Sequence, residues 1–196
     1  MNHVLRSRFA AAALSVAVFL CIASFVRADD YSTDPTHSFV VFRVRHLGAG
    51  YVWGTFASPT GPIAYDANDL TKASFDVAVK ADTIDTRNEN RDKDLKGPDF
   101  FDVKQYATLN FKSKSVAKTG DNMLAVTGDL TLHGVTKEVT VNMEVTGTGK
   151  GMAGETRTGF ETTFTIDRRD FKMSGDPAPI IGDEIRITVA LEAVRQ

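Results

Sequence analysis

The chain of 196 residues is short of the side chains that most chemistry needs: it has one cysteine, one tryptophan and four histidines. The cysteine, Cys21, sits in an apolar N-terminal stretch, so residues 29–196 hold no disulfide, thiolate nucleophile or thiolate metal site. Three histidines lie beyond that stretch. His37 and His46 are nine residues apart, an odd spacing that points them to opposite faces of one strand, and His133 sits in a turn beside Gly134. No pair of them has metal-ligand spacing. The sequence also lacks a Gly-x-Ser-x-Gly elbow, a phosphate-binding glycine loop, a basic stripe, a solenoid repeat and a low-complexity tract. Without a nucleophile–base pair, the expectation is a protein with no catalytic residue, no metal and no cofactor. The 23 basic and 25 acidic residues give a slightly negative balance, which argues against nucleic acid as a partner.

The N-terminus reads as a targeting segment. Met1–Arg8 carries Arg6 and Arg8 and no acid, residues 9–26 are almost wholly apolar, and Val26-Arg27-Ala28 ends the run with short residues at the peptidase positions. Residues 1–28 are expected to be a cleaved signal peptide, because a retained span needs about 20 apolar residues and Arg27 interrupts this one. Three basic residues and no acid lie in that segment, leaving 168 residues of formal charge −5. That is the size of one domain, 29–196, expected to be secreted from the cytoplasm.

What the sequence does have is period-two alternation, from His37 to the end. One phase carries Val40, Phe42 and Val44, then Phe56, then Phe75, Val77 and Val79, then Leu109 and Phe111. It continues through Leu124–Leu132, Val139–Val145, Phe160–Ile166 and Ile185–Ala193. The other phase carries Arg43, Arg45, Lys80, Lys112, Glu138, Glu161, Arg186 and Glu192. Turn residues separate the runs, including the glycine-rich stretch 147–154. Eight strands with one greasy face close most simply into an antiparallel up-and-down barrel. A membrane barrel would show the inverse pattern, and an Arg or Lys facing mid-bilayer costs about 2–4 kcal/mol. A closed sandwich with a dry core stays open as an alternative, and with it a stress-related interaction protein that binds no lipid.

Thr86-Arg87-Asn88-Glu89 reads as a capping box that starts one short helix, about 87–96, ended by Gly97 and Pro98. The mixed charges of residues 82–102 fit a solvated helix face, and Arg91-Asp92 also fits an ion pair that fastens the helix. Phe100, Phe101 and Val103 follow as an apolar cluster able to close one end.

At about 3.3 Å per residue, strands of about eleven residues span roughly 36 Å, a length that suits a long apolar tunnel. The expected lumen contacts for an apolar tail are Val40, Phe42, Val44, Phe56, Phe75, Val77, Phe111, Leu130, Val141, Phe160, Phe164 and Ile187. A polar head is expected to meet His46, Arg91, Arg168, Arg169 or Lys172. His46 also fits a satisfied rim histidine, and Arg168-Arg169 fits either a phosphate grip or loop-closing ion pairs.

In order along the chain, His37–Gly48, Val52-Trp53-Gly54-Thr55-Phe56, Ile84-Asp85-Thr86, Arg91-Asp92, Asp99–Val103, Gly128–Thr136, Arg168-Arg169-Asp170-Phe171 and Glu192-Ala193 resemble the YceI-like family of lipocalin-like, polyisoprenoid-binding proteins. The resemblance implies an extended eight-stranded barrel in the periplasm that holds an isoprenoid, an isoprenoid quinone or a fatty-acid derivative, and it implies no enzyme. It places Phe100, Phe101, Phe171 and Met173 at the mouth. A transient inner-membrane partner and a monomeric or homodimeric state are both compatible with it. Two positions depart from the family's pattern: Asp94 stands where it usually has histidine, and Lys172 where it usually has glycine.

Overall fold

The computed structural model describes residues 29–177 and 180–196; the expected signal peptide lies outside the described residues. Ten strand segments make one antiparallel sheet: β1 (Asp29–Thr33), β2 (Phe39–His46), β3 (Gly50–Phe56), β4 (Pro62–Tyr65), β5 (Ser74–Lys80), β6 (Thr108–Lys118), β7 (Met123–Leu132), β8 (Val135–Lys150), β9 (Thr156–Asp167) and β10 (Ile181–Arg195). From β4 to β10 each strand pairs with the next, as short links between alternating runs dictate. The last strand closes the circle twice: residues 181–190 pair with β2, and residues 193–195 pair with β1. Because β1 pairs with β4 and β2 with β3, these four segments form two long staves, each broken in the middle. The closed barrel therefore has eight staves, as the alternation implies.

Three local readings shift. β1 precedes the first run read from sequence; its Tyr31 and Thr33 face inward between polar neighbours, too short a stretch to show a period. β8 runs through Gly147 and Gly149 to Lys150, because a register slip between Val145 and Gly147 carries the ladder past the glycines. The helix, α1 (Glu89–Leu95), is capped by Asn88, whose side chain accepts from the Arg91 N–H, and not by Thr86. The Thr86 hydroxyl is already bound to Asp92 and is therefore not available to cap.

The segment from 81 to 107, which carries α1, closes a seam. The far side of β3 has no ladder partner among the described residues, and there Thr55 and Asp85 exchange backbone hydrogen bonds of 2.9 and 3.0 Å. Ile84, Leu95, Phe101 and Val103 pack inward from this segment. Phe101 meets Phe56 edge-on, with ring centroids 5.3 Å apart.

Two apolar clusters fill the barrel along its axis. One, around Tyr31, Ile63, Tyr65, Phe75, Val126 and Phe160, packs the end where β1 and β4 lie. Phe160, 1% exposed, takes Phe75 and Tyr65 edge-on at 5.1 and 5.2 Å. The other, around Phe42, Phe56, Val79, Leu130 and Ile166, belongs to the end that carries α1. Its partly buried members, among them Phe111, Phe164, Ile187 and Val189, face a hollow.

Candidate functional site

The hollow is a cavity of about 320 Å³, within the range typical of small-molecule sites. Its walls are the inward phase of the strands. Of the residues expected to meet a tail, Val40, Phe42, Val44, Phe56, Phe75, Val77, Phe111, Leu130, Val141, Phe164 and Ile187 line it. Phe160 does not; it lies beneath the floor in the packed cluster. The floor is made by Phe75, Val141, Met143 and Leu191, so the cavity is a blind pocket and not the full-length tunnel that strand length suggested. Val79, Leu109, Ile166 and Val189 share the inward phase and also line it; alternation alone does not choose among residues of one phase.

Gly54 shows how the lumen is kept open. A Cβ at this position would lie 2.3 Å from the Phe42 ring, so the absence of a side chain lets that ring lie against the wall. Gly128 does the same for Phe111, with 2.7 Å to the ring.

Polar groups on the wall concentrate at one end. Deeper in, the Thr162 hydroxyl donates to the Asn142 carbonyl at 2.7 Å. The rim carries Arg45, His46, Arg91, Asp94, Arg168 and Asp176. His46 is exposed there, at the end of β2.

Arg91 faces the rim but is held by Thr86, just ahead of its own helix. Its Nε donates to the Thr86 hydroxyl at 2.8 Å and its Nη2 to the Thr86 carbonyl at 2.7 Å. Asp92 accepts from the Thr86 N–H and hydroxyl. Arg91 and Asp92 thus clasp Thr86 between them and do not form the simple ion pair the sequence suggested.

Arg168 is 2% exposed and borders the cavity, yet its donors are all directed elsewhere. Nη1 donates to the carbonyls of Met173 and Gly175, Nη2 to Asp176 and, at 3.4 Å, to Ile181, and Nε to Gly182. Asp183 completes the set at 3.0 Å. Burial draws the guanidinium below its ordinary pKa, and the Asp183 carboxylate opposes this. The side chain is a staple for the rim loop between residues 173 and 183, which Gly175 N–H to Asp99 O ties to the α1 segment. Arg169 is exposed and paired with Asp183 at 2.8 Å, off the wall. The adjacent arginines therefore make loop-closing contacts.

Lys172 is exposed, off the wall, and in the left-handed conformation at φ +59°, a geometry that glycine adopts without strain. Of the expected mouth residues, Phe100, Phe101 and Met173 line the cavity. Phe171 is buried behind it, where its carbonyl meets the His133 ring nitrogen at 3.1 Å.

Outside the packed end, Asp34, His37 and Glu192 gather two carboxylates and an imidazole. Arg157 Nη1 already meets both acids, Asp34 at 2.8 Å and Glu192 at 2.5 Å. Hydrogen bonds from His37 and Arg157 hold the Asp34 carboxyl well below the usual carboxylate range.

Known proteins share this chain's sequence pattern and its closed barrel. The model of the YceI-like domain family matches residues 31–193. The chain belongs to the YceI-like family. A curated relative, Protein YceI of Escherichia coli O17:K52:H18, is 36% identical over 93% of this chain and 96% of its own length. The crystal structure of the Campylobacter jejuni YCEI protein is 30% identical, superposes with a TM-score of 0.70, and is covered over 78% of this chain and 90% of that one. A polyisoprenoid binding domain from Saccharophagus degradans, implicated in plant cell wall breakdown, shares the fold at a TM-score of 0.67 with 15% identity, over 85% and 98% of the two chains. The YceI-like barrel is thus the architecture of this chain.

Proposed function

We propose that this protein is a carrier, or a sequestering protein, that acts in the periplasm and holds one long-chain apolar ligand, an isoprenoid, isoprenoid quinone or fatty-acid derivative, tail inward. The observation that supports this best is the pocket itself. An eight-stranded barrel has little volume to leave unfilled, and here one end is packed while the other is open and walled by hydrocarbon. Empty apolar space of this size forfeits contacts that an aliphatic chain would restore, at about 25 cal/mol per Å² of apolar surface buried. The naming of the Saccharophagus degradans domain as polyisoprenoid binding supports the same reading.

Binding, and not catalysis, fits the wall: among the described residues no serine, cysteine or lysine lines it, and Arg91 and Arg168 are engaged by the protein. The head group then rests at the rim beside His46, Arg45 and Asp94, where solvent reaches it. The N-terminal segment 1–28, read as a signal peptide, supports the periplasmic assignment. Organic extraction of protein purified without detergent, followed by mass spectrometry, tests the proposal. A long-chain lipid in stoichiometric amount, or saturable uptake of an added prenyl alcohol, is expected. If neither occurs, the carrier reading fails.

A further inference from the structure

The outer face beside the rim carries a patch that the pocket does not explain. Phe39, Arg43 and Arg45 project outward from β2, and Tyr51 and Trp53 from β3; the ladder sets Arg43 opposite Trp53 and Arg45 opposite Tyr51. Trp53 is 57% exposed, and Phe39, Tyr51 and Leu47 are similarly open. The Arg43 guanidinium lies over Tyr51 at 4.3 Å and near Trp53 at 5.5 Å, and Arg45 lies 5.3 Å from the Tyr51 ring. Arg186 of β10 pairs in register with Arg43, and among the described residues Glu184 is the single carboxylate that lines the groove they share. Arg43 and Arg186 have no ion pair among the described residues, and the Arg43 Nε is buried without a partner.

This patch is cationic and aromatic on a chain whose net charge is negative. It reaches the mouth, since Leu47 at the tip of the β2–β3 turn donates to the carbonyl of exposed Ile180, and Ile180, Arg45 and His46 line the rim. Tryptophan and tyrosine with one end apolar and one end polar settle at the membrane–water boundary. Arginines beside them are attracted to anionic headgroups. We propose that the β2–β3 face is a docking surface for an anionic lipid bilayer, which presents the rim to the membrane. The inference deepens the carrier reading and takes its purpose from it, while its geometry stands apart.

Trp53 is the only tryptophan of the chain and reports directly on this face. The test uses residues 29–196, which carry every strand of the barrel, with vesicles of phosphatidylglycerol and phosphatidylcholine or of phosphatidylcholine alone. The expected result is a blue shift of Trp53 emission and co-sedimentation with the anionic vesicles only, both weakened by salt. Arg43→Gln and Arg186→Gln should each weaken vesicle binding roughly fivefold. Trp53→Ala, followed by co-sedimentation, should weaken it further. Uptake of prenyl alcohol from solution by the same variants shows that the barrel is folded and loaded. Uptake with no response to either vesicle overturns the docking surface and leaves the patch to a protein partner; an arginine-dependent dimer in place of vesicle binding overturns it in favour of a second copy. Vesicle binding without uptake of prenyl lipid supports the docking surface and instead sinks the carrier reading.

Discussion

Phe160 and Phe164 stand four residues apart on one strand, in one phase and of one residue type, yet one is core and the other is wall. Phe160 is gripped edge-on by Phe75 and Tyr65 in the end closed by β1 and β4. Phe164 faces the pocket and stays partly open. The same alternation thus builds a dry core at one end and a lumen at the other. What separates them is depth along the barrel axis, where broken staves and a bulge in β6 between Ser113 and Ser115 set how many side chains meet at each level.

The largest effect that would sharpen this contrast is truncation of those two phenylalanines. Phe160→Ala should cost about 3–5 kcal/mol of unfolding free energy in denaturant titration, and Phe164→Ala roughly half that. The order should invert for ligand affinity, with Phe164→Ala the more damaging. Equal stability losses would mean that the two ends are not distinct.

Each end is also tied by an arginine, Arg168 at the rim and Arg157 outside the packed floor. Arg168→Ala strands several carbonyls and should cost about 3 kcal/mol, whereas Arg169→Ala next to it should cost under about 1 kcal/mol. Thermal melts of the two variants check this, and proteolysis of the rim loop should accelerate only in the first.

Adding volume should have opposite signs at the two ends. Val126→Phe forces bulk into a fully buried site and should destabilise by about 1–3 kcal/mol. Val189→Phe projects into empty space; it should be neutral or stabilising by up to about 1 kcal/mol, and it should block ligand uptake. A stabilised Val126→Phe would refute the packed floor.

The smallest effect concerns acid. The Asp34 pKa is lowered in the folded state, so its contribution is complete above the unfolded value near 3.8 and is lost as pH falls through the lowered folded value. Melting temperature followed from neutral to acid pH should fall less steeply in Arg157→Gln than in the native chain, because one of the three hydrogen-bond partners that lower Asp34 (His37, Arg157 and the Thr36 N–H) is gone.

The barrel and the inward set were legible because a two-residue period survives any context that buries one face. β1 was not, since five residues with two inward side chains carry no periodic signal. The helix was legible but its cap was not: Thr86 and Asn88 are both good caps, and only the contact with Asp92 removes the first from competition. Arg168 and Arg169 look alike in sequence. The strand that ends at Asp167 turns one guanidinium inward to carbonyls as far as fourteen residues ahead and the other outward to the Asp183 carboxylate, and no local pattern encodes that. Lumen and floor were indistinguishable for the same reason.

A well with a floor has one doorway. Any guest must back out along the path it entered, its polar tip last to disappear and first to emerge, and the depth down to Met143 and Leu191 acts as a gauge on how much of a long tail can be hidden. Under the proposed carrier function, exchange would therefore be single-file, and an occupied barrel would exclude a second guest until the first had left.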